Sequence, residues 1–180
     1  MKLKRRHVLS KKELKRISSI ILNSWGVNIL EYDAKWEVGD LGNFSIILAN
    51  GVPMIIIVDD EDFGELMLPT IVFFAKHKPY KKFIKVDSGA VPHIANGADV
   101  MRPGIVDCDL DIRKGDIVYI TGEGISVPIG VGIALMNGEE MLNKEKGRAV
   151  KIIHYISDEI MVIAKRAIES LRQKKWLARW

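Results

Sequence analysis

Val86-Asp87-Ser88-Gly89-Ala90-Val91-Pro92-His93-Ile94-Ala95-Asn96-Gly97-Ala98-Asp99-Val100-Met101-Arg102-Pro103-Gly104-Ile105 is the stretch that decides the fold. It reads as strand, turn, short helix, turn, strand. Pro92 suits the first turn of a helix, where its missing N–H removes no hydrogen bond. Gly97 falls where a helix C-terminus calls for a residue at positive φ. Gly89, Gly97 and Gly104 have no side chain to keep a ligand's backbone away. A short helix presenting N–H groups beside glycines makes a phosphate-contacting surface. Any tight strand–helix–strand corner has the same needs, so this segment alone specifies geometry rather than function.

On either side the texture differs. From Phe83 onward the apolar runs are short and turn signals frequent: Phe83–Val86, Ile117–Thr121, Ser126–Ala134 and Ala149–Tyr155. That pattern predicts a small β barrel or sandwich. Upstream, Ser10-Lys11-Lys12-Glu13 is a capping box, and Leu14, Ile17, Ile20, Ile21 and Trp25 line one helical face until Gly26. A short strand is expected over Lys2–His7. Further strands are expected near Val27–Tyr32, Lys35–Val38, Phe44–Ala49 and Pro53–Val58, with Asn50-Gly51 turning the last pair. Asp59-Asp60-Glu61-Asp62 reads as an acidic loop. A second helix is expected from Leu68 to Lys76, with Pro69 in its first turn and Pro79 ending it. Ser157 is positioned to cap a last helix with the stripe Ile160, Ala164, Ala167, Ile168 and Leu171. Trp176 and Trp180 follow it, placed to dock on the N-terminal domain or on a partner.

The 180 residues are 48% hydrophobic and 28% charged, an ordinary globular balance. No apolar run is long enough for a membrane span. The basic start lacks an apolar segment behind it and does not read as a secretory signal. The single cysteine, Cys108, excludes an internal disulfide framework and a four-cysteine zinc site, and a reducing cytoplasm is the expected compartment. Charge is unevenly spread. Residues 1–16 hold eight Lys/Arg and one Glu, residues 165–180 six Lys/Arg and one Glu, and the middle is acidic. Basic ends on an acidic middle suit a polyanion, although solvated helix faces would look the same. Abundant Ile, a single Gln (Gln173) and many Lys, Arg and Glu resemble a thermophile's composition.

No catalytic constellation emerges. No phosphate-binding loop is present, and Gly122-Glu123-Gly124 lacks the third glycine of a dinucleotide turn. The acidic loop fails the calcium-loop test, because Thr70 stands where a bidentate Glu belongs. His7, His77, His93 and His154 have no metal-ligand spacing among them. Cys108 with a distant histidine could form a nucleophile–base pair, but without a local signature it reads as a small buried hydrophobe. Asp107, Asp109 and Asp111 alternate, so on a strand all three would share one face, which allows a metal site but more often marks a solvated strand edge near a turn. No cofactor is expected.

The central segment resembles the signature of the PUA domain, an RNA-binding module named for pseudouridine synthases and archaeosine transglycosylases. The matching pieces are Asp87-Ser88-Gly89-Ala90, Gly97-Ala98-Asp99-Val100-Met101 and Pro103-Gly104-Ile105. In order after them come Gly115-Asp116-Ile117-Val118, Pro128-Ile129-Gly130-Val131-Gly132, and Gly147-Arg148-Ala149-Val150 with His154. Leu68-Pro69-Thr70, the basic connector and His154-Tyr155 are similar to the malignant T-cell amplified sequence family and its archaeal relatives. That resemblance implies an α+β N-terminal pre-PUA domain (1–80), a mostly-β PUA pseudo-barrel (81–156) and a C-terminal basic amphipathic helix (157–180). The last 20 residues extend beyond where the family's PUA fold closes.

The resemblance implies a non-catalytic, translation-associated protein. Its RNA would be a tRNA acceptor end or rRNA on the small ribosomal subunit, and a density-regulated-protein-like factor is an implied partner. The alternative is an accessory RNA-binding subunit of a tRNA- or rRNA-modifying enzyme; a third possibility is a protein–protein adaptor. The residues carried over to RNA contact are Ser88, Gly89, Ala90, His93, Asn96, Gly97, Ala98, Met101, Arg102, Pro103, Gly104, Arg148 and Lys151, with Lys82 and Lys85 beside them. Arg102 and Lys151 can neutralise phosphate, and Asn96 or His93 can bond a base edge or a ribose hydroxyl. Structural roles compete at several positions. The glycines serve their turns, Asp99 can hold a turn through backbone N–H groups, Met101 and Ile105 suit the core, and His154 suits a packed structural site.

Overall fold

The computed structural model describes residues 2–174. The elements run β1 (Lys4–Val8), α1 (Lys11–Trp25), β2 (Trp36–Leu41), β3 (Phe44–Ala49), β4 (Val52–Asp60), β5 (Gly64–Pro69) and α2 (Ile71–His77). Then follow β6 (Phe83–Val86), α3 (Val91–Ala95), β7 (Val100–Met101), β8 (Ile105–Cys108), β9 (Ile117–Gly122), β10 (Gly130–Ala134), α4 (Gly138–Asn143), β11 (Arg148–Tyr155) and α5 (Glu159–Gln173). They gather into two compact units. One runs up to Met67 and takes in the segment from Val162 onward, and the other is Leu68–Met161. These units place α2 in the second unit and most of α5 in the first. Trp176 and Trp180 lie outside the described residues.

The first unit is a five-stranded sheet in chain order, β1-β2-β3-β4-β5. Ser10 and Glu13 close the capping box at the start of α1, and Gly26 ends it at φ 71° with its N–H on the Leu22 carbonyl. Ile17, Ile21 and Trp25 are buried on one face of α1. Asn50 and Gly51 both take positive φ, 50° and 85°, as a tight hairpin requires. Three local expectations change. Val27–Tyr32 is no strand, because the Asn28 side chain accepts the Leu30 N–H and starts a 3₁₀ turn at Ile29–Glu31. Asp59 and Asp60 extend β4 instead of looping, and the Asp60 carboxylate accepts the Asp62 and Phe63 N–H groups. Pro69 ends β5, and the second helix begins only at Ile71 behind Thr70, whose hydroxyl accepts the Phe73 N–H.

The second unit is a six-stranded sheet ordered β7-β11-β10-β9-β6-β8. Its two edge strands, β7 and β8, are consecutive in sequence and separated only by the 3₁₀ turn Arg102–Gly104. Three residues reach about 10 Å, so the sheet must curl until its edges nearly meet. That requirement makes the mostly-β unit a pseudo-barrel. Ile84, Val86, Val100, Ile112, Val118, Ile120, Ala149 and Val150 fill its core. Gly132 permits the curl, because a Cβ there would lie 2.2 Å from the Lys151 carbonyl oxygen. β10 begins at Gly130 and not at Ser126; Ser126 and Val127 are exposed. Helix α5 is capped by Asp158, whose carboxylate accepts the Met161 N–H, while the Ser157 hydroxyl donates to the Ala95 carbonyl instead.

Candidate nucleic-acid interface

Helix α3 starts where the Asp87 carboxylate accepts the Ala90 N–H at 2.8 Å. Pro92 sits in the first turn, and the Asn96 amide donates to the Pro92 carbonyl at 2.9 Å. Gly97 leaves the helix at φ 94°, and a Cβ there would lie 2.8 Å from the Tyr155 ring. Both facts demand glycine. At the other end of the surface the Asp87 N–H donates to the Gly104 carbonyl at 2.9 Å, and a Cβ on Gly104 would press on Ala90. Asp99 ties this corner to β11. One carboxylate oxygen accepts the Ile152 N–H at 2.8 Å, and the other takes Arg148 Nε at 2.6 Å. Arg148 stands opposite Met101 in the β11–β7 register.

One continuous surface results. Ser88, Gly89, His93, Asn96, Ala98, Met101, Pro103 and Arg148 are exposed on it, with Ala90, Gly97 and Gly104 half-buried between them. Met101 belongs to this surface and not to the core, being 51% exposed, while Ile105 is buried.

Four predicted contacts sit differently. Arg102 is turned inward: its guanidinium donates to the Leu142 carbonyl at 2.9 Å and reaches the Ile105 carbonyl, and its Nε is buried. The Lys82 ammonium pairs with Asp116 at 2.8 Å and donates to the Asp111 carbonyl, at the opposite end of β6 from Asp87. Lys85 lines a separate cleft with Tyr80 and Thr121. Lys151 lies on β11 opposite Ile133, half-buried.

The competing structural readings settle in part. His154 is fully buried with Nδ1 2.6 Å from Asp158, and that carboxylate also accepts the Tyr155 N–H. The Cys108 thiol is buried and donates to the Gly138 carbonyl; burial first, then Asp107 and Asp109, push it up to about 11, far from a nucleophile's range. Asp109 is a turn-former accepting the Lys82 and Asp111 N–H groups, so the three aspartates do not share a strand face. Among the described residues no group of three His, Cys, Asp or Glu side chains could hold a metal, and no helix is long and apolar enough to cross a membrane.

Sequence reading missed the Asp99–Arg148 pair and the place of Tyr155 beneath Gly97. The only signal was an acid and a base 49 positions apart, which no local pattern connects. It also left open that the two basic ends meet. In the first unit Lys2, Arg6, Arg166 and Lys174 line one groove of about 650 Å³, and among the described residues no acidic side chain lines it.

The PUA domain family matches residues 82–156, and the family described as a domain of unknown function, DUF1947, matches residues 5–77. An uncharacterized protein of Methanocaldococcus jannaschii is 40% identical over 163 residues, which cover 89% of this chain and 97% of that one. A conserved PUA domain protein of Thermoplasma acidophilum superposes with a TM-score of 0.72 at 33% identity, covering 87% of this chain and 97% of that one. Translation machinery-associated protein 20 of Schizosaccharomyces pombe is 33% identical over 81 residues, 43% of this chain and 45% of that protein. With the α3 surface, the curled sheet and these matches together, the chain belongs to the family of PUA-domain proteins that carry a DUF1947, or pre-PUA, region ahead of the PUA domain, akin to the translation machinery-associated and malignant T-cell-amplified sequence proteins.

Proposed function

We propose that this chain is a non-catalytic, translation-associated RNA-binding protein of the cytoplasm. Its α3 surface holds an unpaired RNA end, either the acceptor end of a tRNA or rRNA on the small ribosomal subunit. One observation carries the reading: α3 and its flanking glycines leave exposed polar side chains, Ser88, His93 and Asn96, beside backbone with little side chain to obstruct it. Such a shallow surface suits unpaired RNA, whose bases and ribose hydroxyls are open to contact. The basic groove of the first unit adds a contact that depends on charge and not on sequence. The PUA match and the translation-associated relative support the same direction.

The test is a surface variant. His93→Glu with Ala98→Glu places two carboxylates on exposed positions that hold nothing in the fold. Affinity for tRNA should fall by about tenfold or more at moderate salt, because the added charges face phosphate. An unchanged melting temperature with wild-type affinity would remove the α3 surface from the account. Co-sedimentation with small ribosomal subunits separates the translation role from an accessory role. Recovery with a pseudouridine synthase or transglycosylase, and no binding to subunits, would favour the latter.

A further inference from the structure

The second unit carries another concavity, of about 270 Å³, away from α3. Its floor follows from the alternation of β6. Ile84 and Val86 are fully buried, so Phe83 and Lys85 point to the other face. In register, Phe83 stands beside Tyr119, and Lys85 stands between Asp107 on β8 and Thr121 on β9. Neighbours across a sheet share a face, so an aromatic row lies next to a row of ammonium, carboxylate and hydroxyl. Tyr80 rises over the rim with its ring centroid 5.6 Å from that of Phe83, and it is 94% exposed. Lys78 is exposed at the same rim.

We propose that this cleft is a second binding site, a stacking slot for one unpaired cytosine or adenine base. It rests on the RNA-binding reading above and extends it from the RNA end to a further unpaired nucleotide. A volume of 270 Å³ lies just under the range of about 300–1,000 Å³ usual for small-ligand pockets, which suits one planar base. A tyrosine with almost all its surface in water is an open stacking platform. An apolar side chain from a protein would take the Lys85 ammonium and the Thr121 hydroxyl out of water and leave the Asp107 carboxylate with the Cys108 N–H alone, which is unfavourable. A base edge supplies both a donor and an acceptor. The Asp107 carboxylate takes the amino group of cytosine or adenine, Lys85 takes the adjacent ring nitrogen, and Lys78 at the rim faces the phosphate. Uracil places a carbonyl where that amino group would be, against the carboxylate.

The experiment is an NMR titration of the full-length, isotope-labelled chain with CMP, AMP, UMP and ribose 5-phosphate, alongside tRNA binding by the same preparation. CMP and AMP should shift the amides of residues 78–85 and 119–128, with UMP several-fold weaker. Tyr80→Ala should weaken CMP and AMP by about tenfold, the loss of one stacked base. Tyr80 is so exposed that its removal leaves the fold intact. The proposal is overturned if those amides do not move, if Tyr80→Ala binds as wild type does, or if UMP or ribose 5-phosphate matches CMP. tRNA binding without cleft shifts removes the cleft alone. Cleft shifts in a protein that binds no tRNA leave the slot standing and remove the RNA-end reading.

Discussion

At Gly97 a side chain is excluded twice, by a φ of 94° and by the Tyr155 ring. Gly97→Ala should therefore cost about 1–3 kcal/mol in urea denaturation, through backbone strain and overpacking. The role of that glycine was legible, since only a helix end needs such a residue there. Arg102 was not legible. Its sequence neighbours, Met101 and Pro103, are exposed and would suit an outward-facing arginine, but the guanidinium donates to the carbonyls of Leu142 and Ile105. Whether an arginine points outward depends on which carbonyls the fold brings near, and Leu142 is 40 positions away. Arg102→Ala should lower stability by about 1–3 kcal/mol, because two carbonyls lose their donors. His93→Ala, on an exposed position, should stay within about 0.5 kcal/mol. Equal losses in the two variants would contradict this assignment.

Among the elements, those with local signals were read with small errors. The Ser10–Glu13 box, the Asn50-Gly51 hairpin and β6 needed only neighbours in sequence. The start of α5 needed more, because Ser157 and Asp158 are both good caps. The choice follows from His154, buried five positions before α5, which needs the Asp158 carboxylate. Asp158→Ala removes the cap and the partner of His154 together, and it should cost about 2 kcal/mol or more against a few tenths for Ser157→Ala. The β1–β2 pair carries an acid-sensitive tie. Hydrogen bonds from Arg6, and then from Lys35, outweigh burial and hold the Glu37 carboxyl below the usual carboxylate range. A depressed folded value means stability that is present above the unfolded pKa of about 4.3 and is lost as pH falls below it. Glu37→Gln should flatten that acid limb, and an unaltered limb in urea titrations from pH 6 to 3 would show that Glu37 is not its source.

For the whole molecule, the charge asymmetry read from the sequence becomes a groove shared by both ends of the chain. The order of its parts could not show this, because the meeting of β1 with α5 is a long-range contact. The pseudo-barrel was legible from a family pattern, and its physical necessity came only with the strand order, in which consecutive strands occupy opposite edges. Two contacts of different character follow. The groove should bind any polyanion and lose it to salt, so removing Arg166 and Lys174 should flatten the salt dependence without altering the choice of RNA. The α3 surface should choose. The most direct test is a fluorescence-anisotropy titration with tRNA, intact or lacking its 3′-terminal CCA, at low and moderate salt. Tighter binding to intact tRNA that survives moderate salt is the predicted result. Equal binding to both, erased by salt, would contradict the α3 surface as a reader of RNA ends.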